Sequence, residues 1–164
     1  MAIELTQARL LELLSYDAET GIFRWLVYRG GSRPKAGSIA GRLSDKGYVI
    51  IGIDDREYRA HRLAFLYMVG RWPVPEGDHR DLNRANNIWS NLREATRSQN
   101  MANTSWHDNR VGFKGVYASG DKYAARIQFS GKATYLGTFD TAEFAGFIYA
   151  AAAQAIFGEF ARTS

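Results

Sequence analysis

Residues 77–100 read GDHRDLNRANNIWSNLREATRSQN, and no other segment of the chain is as informative. Its first part is crowded with Asn, Asp and Arg and holds few apolar residues, so we expect a loop. The polar stretch at residues 96–103 is typical of a short helix. Because loops beside a rigid element often carry functional side chains, the functional site is expected here.

Asp78 and His79 supply the first chemistry in this segment. A carboxylate can hold a metal ion while the neighbouring imidazole accepts a proton. The pair alone is a weak signal, and an ordinary surface turn is its commoner interpretation. Asn91 follows His79 by twelve residues and Asn100 follows by a further nine, and these added amides strengthen the interpretation as a metal site.

The whole array resembles the HNH family of nucleases, in the phage and intron homing-endonuclease branch whose last motif residue is Asn. The resemblance is carried by Asp78-His79, Asn86-Asn87, Asn91-Leu92-Arg93-Glu94-Ala95-Thr96 and Ser98-Gln99-Asn100, and upstream by His61-Arg62-Leu63 and Gly70-Arg71-Trp72-Pro73. An array over roughly forty residues is far more specific than a pattern of two residues.

This resemblance implies two strands and a helix that grip one divalent cation, Mg²⁺ or Mn²⁺. Asp78 and Asn100 would be the metal ligands, and such a sparse set of oxygen donors leaves positions for phosphate oxygens and water. His79 would be the general base, since its ordinary pKa lies near neutrality. Asn91 would brace the loop and orient the histidine.

Two positions depart from many members of that family. Leu82 stands where Gly is common, and Asn86 stands where Asp is common. Both fall in the loop, away from the expected ligands, so the loop geometry is where we expect a difference. Of the other histidines, His61 is expected to pack or flank the DNA and His107 to lie in a loop, and neither is given a chemical role.

Composition limits the classes to which this chain of 164 residues can belong. Its 46% hydrophobic and 13% aromatic residues exclude intrinsic disorder for most of the chain. Zero cysteines exclude disulfides and a Cys-ligated structural zinc, so oxygen and imidazole must hold any metal. No membrane segment or signal peptide is recognisable, and we expect a cytoplasmic protein, in the bacterial host if phage-encoded.

Elements of the first part follow from periodicity. The patterns predict a helix at residues 5–14, a turn at 17–21, a strand at 22–28, a hairpin at 48–59 and a second helix at 61–69 ending near Gly70.

The densest basic patch lies in residues 24–46, where six basic residues stand against one acid. The net charge of +4 and a pI near 9.4 suit a polyanionic partner without proving one. Arg33 and Lys35 are candidate phosphate contacts in this patch, and a merely solvated loop is the equal alternative.

The last third predicts strands at residues 113–118, 122–129 and 133–139 and a helix at 141–157 stopped by Gly158. Period-two alternation places Tyr123, Ala125 and Ile127 on one face and Arg126 and Gln128 on the other. A sheet covered on one face by a helix leaves its other face open to a partner. The alternative is a sheet that only packs on the rest of the chain.

Residues 109–162 resemble the DNA-binding domain of plant ethylene-response factors (apetala-two type). The resemblance is carried by Phe113-Lys114-Gly115-Val116, Lys122-Tyr123-Ala124-Ala125-Arg126-Ile127, Tyr135-Leu136-Gly137-Thr138-Phe139 and Thr141-Ala142-Glu143. It implies a sheet laid in the major groove, with contacts from Lys114, Tyr117, Lys122, Arg126, Gln128 and Tyr135. Arg126 and Gln128 suit guanine and adenine edges. Tyr117 and Ala133 replace residues that are often Arg in that family, which predicts weaker binding.

The predicted fold class is α+β in three parts. Residues 1–60 form an N-terminal helix and sheet module, residues 61–107 a ββα-metal nuclease unit, and residues 108–164 a three-stranded antiparallel sheet with one packed helix.

The predicted function is a metal-dependent homing endonuclease that hydrolyses phosphodiester bonds in double-stranded DNA, with Arg93 and Arg97 as further DNA contacts. A monomer would nick, whereas a homodimer would place two sites across the duplex. The alternatives are a non-cutting DNA-binding regulator that uses the C-terminal sheet and a colicin-like or RNA-directed nuclease without sequence preference.

Overall fold

The computed structural model describes residues 4–28, 34–104 and 110–162. The chain forms two compact units that divide between Glu94 and Ala95. The mixture of four helices and several small antiparallel sheets in the described residues is consistent with the predicted α+β class. None of the described helices has both the length and the apolar character needed to cross a bilayer. The division into three parts stays a prediction.

The first unit is built from two helices and short strands. They are α1 (Gln7–Leu13), β1 (Leu14–Asp17), β2 (Ile22–Trp25), β3 (Arg42–Leu43), β4 (Val49–Ile53), β5 (Arg56–Arg59), α2 (Ala60–Val69), β6 (Glu76–His79) and β7 (Leu92–Ala95), whose last residue begins the second unit. Antiparallel pairing joins β1 to β2 and orders β3, β4 and β5 in one sheet, while β6 and β7 form a two-stranded sheet.

The hairpin of β1 and β2 corrects the prediction for this region. The helix ends at Leu13, where residue 14 was expected to be its last, and β2 ends at Trp25 and not at residue 28. Leu14 continues the helical spacing of the preceding leucines, so the start of β1 is hidden in the periodicity. Its alternation of buried Leu14 and Tyr16 is decided by pairing with β2.

The hairpin of β4 and β5 and the helix α2 are confirmed. Asp54 and Asp55 adopt φ values of 46° and 61°, the left-handed pair that a two-residue hairpin turn requires. Gly70 ends α2 with φ 77°, which glycine adopts without the steric cost that a Cβ brings.

One apolar core runs through the whole first unit. It contains Leu10 and Leu13 of α1, Phe23 of β2, Ile51 of β4, Leu63 of α2 and Leu92 of β7. The residues predicted as an N-terminal module therefore share a core with the strands that carry the candidate site.

The second unit contains α3 (Arg97–Asn103), β8 (Val116–Ser119), β9 (Lys122–Phe129), β10 (Lys132–Phe139) and α4 (Ala142–Phe157). The three strands form an antiparallel sheet in the order β10, β9, β8, with a register shift in β10 between Tyr135 and Gly137. Ile127 of β9 packs with Tyr149 and Ala153 of α4. Three strands and one helix occur as expected, although β8 begins at Val116 and not at residue 113.

Gly115 is required for that packing. Its φ is 69°, and a Cβ there would lie 2.2 Å from the ring of Tyr149 and 2.6 Å from the carbonyl oxygen of Arg126. The glycine therefore lets the chain pass directly beneath α4.

Candidate functional site

Asp78 and His79 end strand β6, and each is only 5% exposed. The loop that follows returns through a 3₁₀ turn at Trp89–Asn91 to β7. The elements follow one another along the chain in the order β6, β7, α3. The two candidate reactive groups are thus buried at the edge of a polar loop.

Arg93 corrects one prediction. It was expected to contact DNA, but it is buried on β7, and its Nε donates to Asp78 Oδ2 at 2.9 Å. Both side chains are 6% exposed, so the pair lies where the dielectric constant is low and the attraction is strong. Arg93 therefore fixes and neutralises the carboxylate instead of facing a ligand.

His79 is held by an amide from the loop. Its Nε2 lies 3.3 Å from Asn87 Oδ1, and both residues are buried. Burial lowers the pKa of His79, and the hydrogen bond to Asn87 and the carboxylates of Asp81 and Asp78 offset this only in part. The neutral imidazole is favoured at neutral pH, and this is the form that can accept a proton.

Asn87 is in turn fixed by the N-terminal hairpin. The hydroxyl of Tyr16 donates to the Asn87 carbonyl at 2.6 Å, and the Trp89 amide donates to the Ala18 carbonyl at 2.9 Å. Gly21 packs so closely that a Cβ there would lie 2.4 Å from the carbonyl carbon of Asn87. Burial raises the pKa of Tyr16, which keeps the hydroxyl protonated and able to donate.

Asn91 braces the loop between β6 and β7 through its side-chain amide. Its Nδ2 donates to Asp81 Oδ1 and to the carbonyl of Asn86, both at 2.9 Å, while its Oδ1 accepts from the Asp81 amide at 3.1 Å. Asn87 supplies an amide side chain beside His79. That Asn91 orients the histidine stays a prediction.

The two departures from the family now have physical consequences. Leu82 adopts φ 66°, a left-handed conformation that a glycine takes at lower cost. Asn86 donates through Nδ2 to Asp81 Oδ2 at 2.7 Å, which a carboxylate at that position could not do. Burial acts to raise the pKa of Asp81, but hydrogen bonds from Asn86, Asn91 and the Asn83 amide outweigh it and lower that pKa.

Two aromatic residues that pack beside His79 could not be recognised as its neighbours from the local sequence. The ring of His61 on α2 lies 4.8 Å from the His79 ring in an edge contact, and the Tyr48 ring lies 6.1 Å away. Burial and the nearby His79 lower the pKa of His61 to about 3, so this ring is neutral. His61 thus packs against the ring of His79.

The donors present fit a hard cation. Asp78 offers a carboxylate, and Asn100 lies half-buried on α3 and offers an amide oxygen. Within the described ranges, no group of three or more His, Cys, Asp or Glu side chains is placed to hold a metal. A cation would therefore depend on the amide, water and substrate for most of its ligands. Asp78 and Asn100 belong to different units, and their pairing stays a prediction.

Most of the candidate DNA contacts predicted for the C-terminal sheet are exposed, and one, Lys114, is buried. The exposed residues are Tyr117, Lys122, Arg126, Gln128 and Tyr135. Arg126 lies opposite Tyr135 in the register, and its guanidinium lies over the Tyr117 ring at 5.6 Å. Lys122 forms an exposed ion pair with Asp140.

The prediction for Lys114 is the second one that the structure corrects. It was expected on the outward face, but it is 9% exposed, and its Nζ donates to the carbonyls of Ala102 at 2.6 Å and Thr104 at 2.9 Å. The ammonium group thus satisfies carbonyls at the end of α3, where a cation is favoured. Burial lowers the pKa of Lys114.

The remaining predicted contacts lie outside the sheet. Arg97 is exposed in the first turn of α3, and Lys35 is exposed before the two-residue strand β3. Arg33 and His107 fall outside the described residues.

Comparisons with known proteins match the central segment of the chain to HNH endonucleases. Residues 58–102 match a family model described as HNH endonuclease. The chain is 33% identical over 122 residues to a protein of Acanthamoeba polyphaga mimivirus described as an uncharacterized HNH endonuclease. The aligned part covers 73% of this chain and 63% of that protein, less than two thirds of its length. No solved structure gave a significant match. The family match ends at residue 102, so it gives no support to the resemblance of residues 109–162 to plant ethylene-response factors.

Proposed function

We propose that this chain is a metal-dependent endonuclease of the HNH homing type that hydrolyses phosphodiester bonds in double-stranded DNA. The observation that carries the proposal is the buried His79, held by Asn87 directly beside Asp78, within the segment that matches the HNH endonuclease model. A binding module has no need of an imidazole fixed in this way.

His79 takes the proton of the water that attacks the phosphorus atom. Asn87 holds the ring, and the hairpin through Tyr16 holds Asn87, so the imidazole does not have to be ordered at each turnover. Asp78 and Asn100 would hold one divalent cation, Mg²⁺ or Mn²⁺, which stabilises the charge that develops on the phosphate oxygens.

The outer face of the C-terminal sheet is proposed to bind the duplex. Arg126 and Gln128 are exposed next to each other on β9 with two exposed tyrosines close by in the sheet, and these side chains suit base edges in the major groove. Arg97 and Lys35 are proposed phosphate contacts.

A plasmid relaxation assay tests the nuclease. Supercoiled DNA is incubated with the wild type in Mg²⁺, Mn²⁺ or EDTA, and with His79→Ala and Asp78→Asn. Asparagine is chosen at 78 because its side-chain oxygen can still accept a hydrogen bond from the buried Arg93, whereas alanine offers no acceptor. We expect cutting only with metal and a fall of at least about 100-fold in His79→Ala, the usual contribution of a general base.

Two results would decide against the proposal. Unchanged cutting by His79→Ala would remove its assigned role, provided that thermal unfolding shows both proteins folded. Retardation of DNA without cutting, on substrates drawn from several genomes, would favour a non-cutting regulator. Open-circle products indicate a monomer that nicks, and linear products indicate two sites acting across the duplex.

A further inference from the structure

Two guanidinium groups converge on one aromatic ring near His79. The Arg59 Cζ lies 4.4 Å from the centroid of the Tyr48 ring, and the Arg84 Cζ lies 5.0 Å from it. Arg59 is the last residue of β5, and Arg84 belongs to the loop after β6. Folding therefore gathers two cations from separate parts of the first unit.

The ring that supports them also faces the candidate base. Tyr48 is half-buried, and its ring centroid lies 6.1 Å from that of His79 and 5.5 Å from that of His61. The exposed guanidinium groups therefore contact the same ring that packs beside the two buried imidazoles.

Neither cation is compensated. In the described ranges, Arg9, Arg42, Arg71 and Arg93 each pair with a carboxylate, whereas Arg59 and Arg84 form no ion pair. Arg84 is instead directed by a hydrogen bond from Nη1 to the Lys46 carbonyl at 3.1 Å. Two like charges on one ring repel each other unless an anion lies between or beside them.

The backbone adds to the same positive field. Arg59 is the N-cap of α2, and this helix has no side-chain cap and no acidic residue in its first turn. Its positive end is therefore not offset by its own sequence. A phosphate diester is the anion that an array of this kind suits, since guanidinium groups bind two phosphate oxygens at once.

We propose that Arg59 and Arg84, supported by Tyr48, bind backbone phosphates beside the bond that is cut at His79. This assignment rests on the proposed nuclease function and adds a substrate-binding site to it. The arginines hold the strand, so their loss weakens binding of the substrate and its placement against the base, while the imidazole itself stays in position.

Salt dependence of DNA binding tests the assignment without any need for cutting. A fluorescent duplex oligonucleotide is titrated with wild type, Arg59→Gln, Arg84→Gln and Arg56→Gln in EDTA over a range of NaCl concentrations. The slope of log K against log salt is negative, and each lost phosphate contact should reduce its magnitude by about 0.9. Arg56 is the matched control, because it is an exposed arginine at the other end of the same strand.

Two substitutions of Tyr48 distinguish the contribution of its aromatic ring from that of the two arginine charges. Tyr48→Phe keeps the ring and should leave the affinity within about twofold of the wild type, whereas Tyr48→Leu removes the stacking surface and should weaken DNA binding by more than threefold. Slopes for Arg59→Gln and Arg84→Gln equal to that of Arg56→Gln would overturn the assignment even if the wild type cuts. A wild type that never cuts, with reduced slopes in both variants, would instead overturn the nuclease function and leave only an anion-binding surface.

Discussion

The loop between β6 and β7 and the outer face of the C-terminal sheet are both rich in polar side chains, but they are built in opposite ways. In the loop, Asp81, Asn86 and Asn91 bind one another, and Asn87 is fixed from the hairpin. On the sheet, Arg126 and Gln128 extend into solvent. The amides that bind one another in the loop are therefore part of the fold, whereas the two polar residues on the sheet are available to a partner.

This difference teaches what a substitution will do in each region. A buried polar group that loses its partner bears the full cost of desolvation, so changes that free the buried Asn87 or His79 should reduce stability and activity together. Surface changes away from such contacts usually alter stability by less than about 0.5 kcal/mol. The sheet should therefore lose binding alone.

The largest effect is expected for Arg93→Met, which leaves the Asp78 carboxylate without its buried guanidinium. We expect a loss of about 3–5 kcal/mol in the free energy of unfolding, measured by urea denaturation. Arg97→Met, at an exposed arginine, is the control and should change little. If the two variants unfold at the same urea concentration, the buried pair does not stabilise the loop. Adding Asp78→Asn to Arg93→Met should restore part of the loss.

Gly21→Ala tests whether the hairpin holds the loop. The new Cβ would collide with the backbone of Asn87 and Ile88, and the residue has φ 72°, so we expect a loss of about 2–4 kcal/mol together with slower cutting. Gly120→Ala is matched, because its φ is 61° and nothing lies within 4 Å of a Cβ there. An equal cost in both variants, measured by thermal unfolding, would mean that only backbone strain is involved.

Arg126→Ala tests the opposite region. Affinity for the target duplex should fall by about 1–3 kcal/mol in a retardation titration, because a guanidinium reading a base edge is lost, while the unfolding curve stays unchanged. Lys132→Ala is the control, since Lys132 is exposed at the start of β10 and pairs in register with Phe129, on the face opposite to Gln128. Equal affinities of the two variants would remove the sheet face from the proposed DNA contacts.

The smallest effect is expected for Leu82→Gly compared with Leu82→Ala. Alanine keeps a Cβ in the left-handed conformation, and glycine does not. Removing the Cβ relieves about 1–2 kcal/mol of backbone strain, which is partly offset by the greater freedom of glycine in the unfolded chain. The free energy of unfolding of Leu82→Gly should therefore exceed that of Leu82→Ala by roughly 0.5–1 kcal/mol. Equal midpoints in urea would show that the loop relaxes around residue 82 without cost.

Local pattern was enough for several elements of the fold. The hairpin of β4 and β5, the helix α2 ending at Gly70, and the helix α4 ending at Phe157 were all predicted, because periodicity and turn residues act over a few positions. Strand β1 could not be predicted, since Leu14 satisfies both the helical and the strand pattern and only pairing with β2 separates them. This prediction failed because the deciding contact is pairing with a neighbouring strand, which the helical spacing of the leucines does not contain.

The candidate site divides along the same line. The sequence by itself determined which residues are candidates for the chemistry, because a carboxylate next to an imidazole followed by spaced amides is a property of the residues and their order. Only the tertiary structure decided that Asn87 contacts His79, that Arg93 and Lys114 are buried, and that Arg59 and Arg84 meet at Tyr48. Burial and partner choice depend on contacts between residues distant in the chain, and no local pattern of residue types contains them.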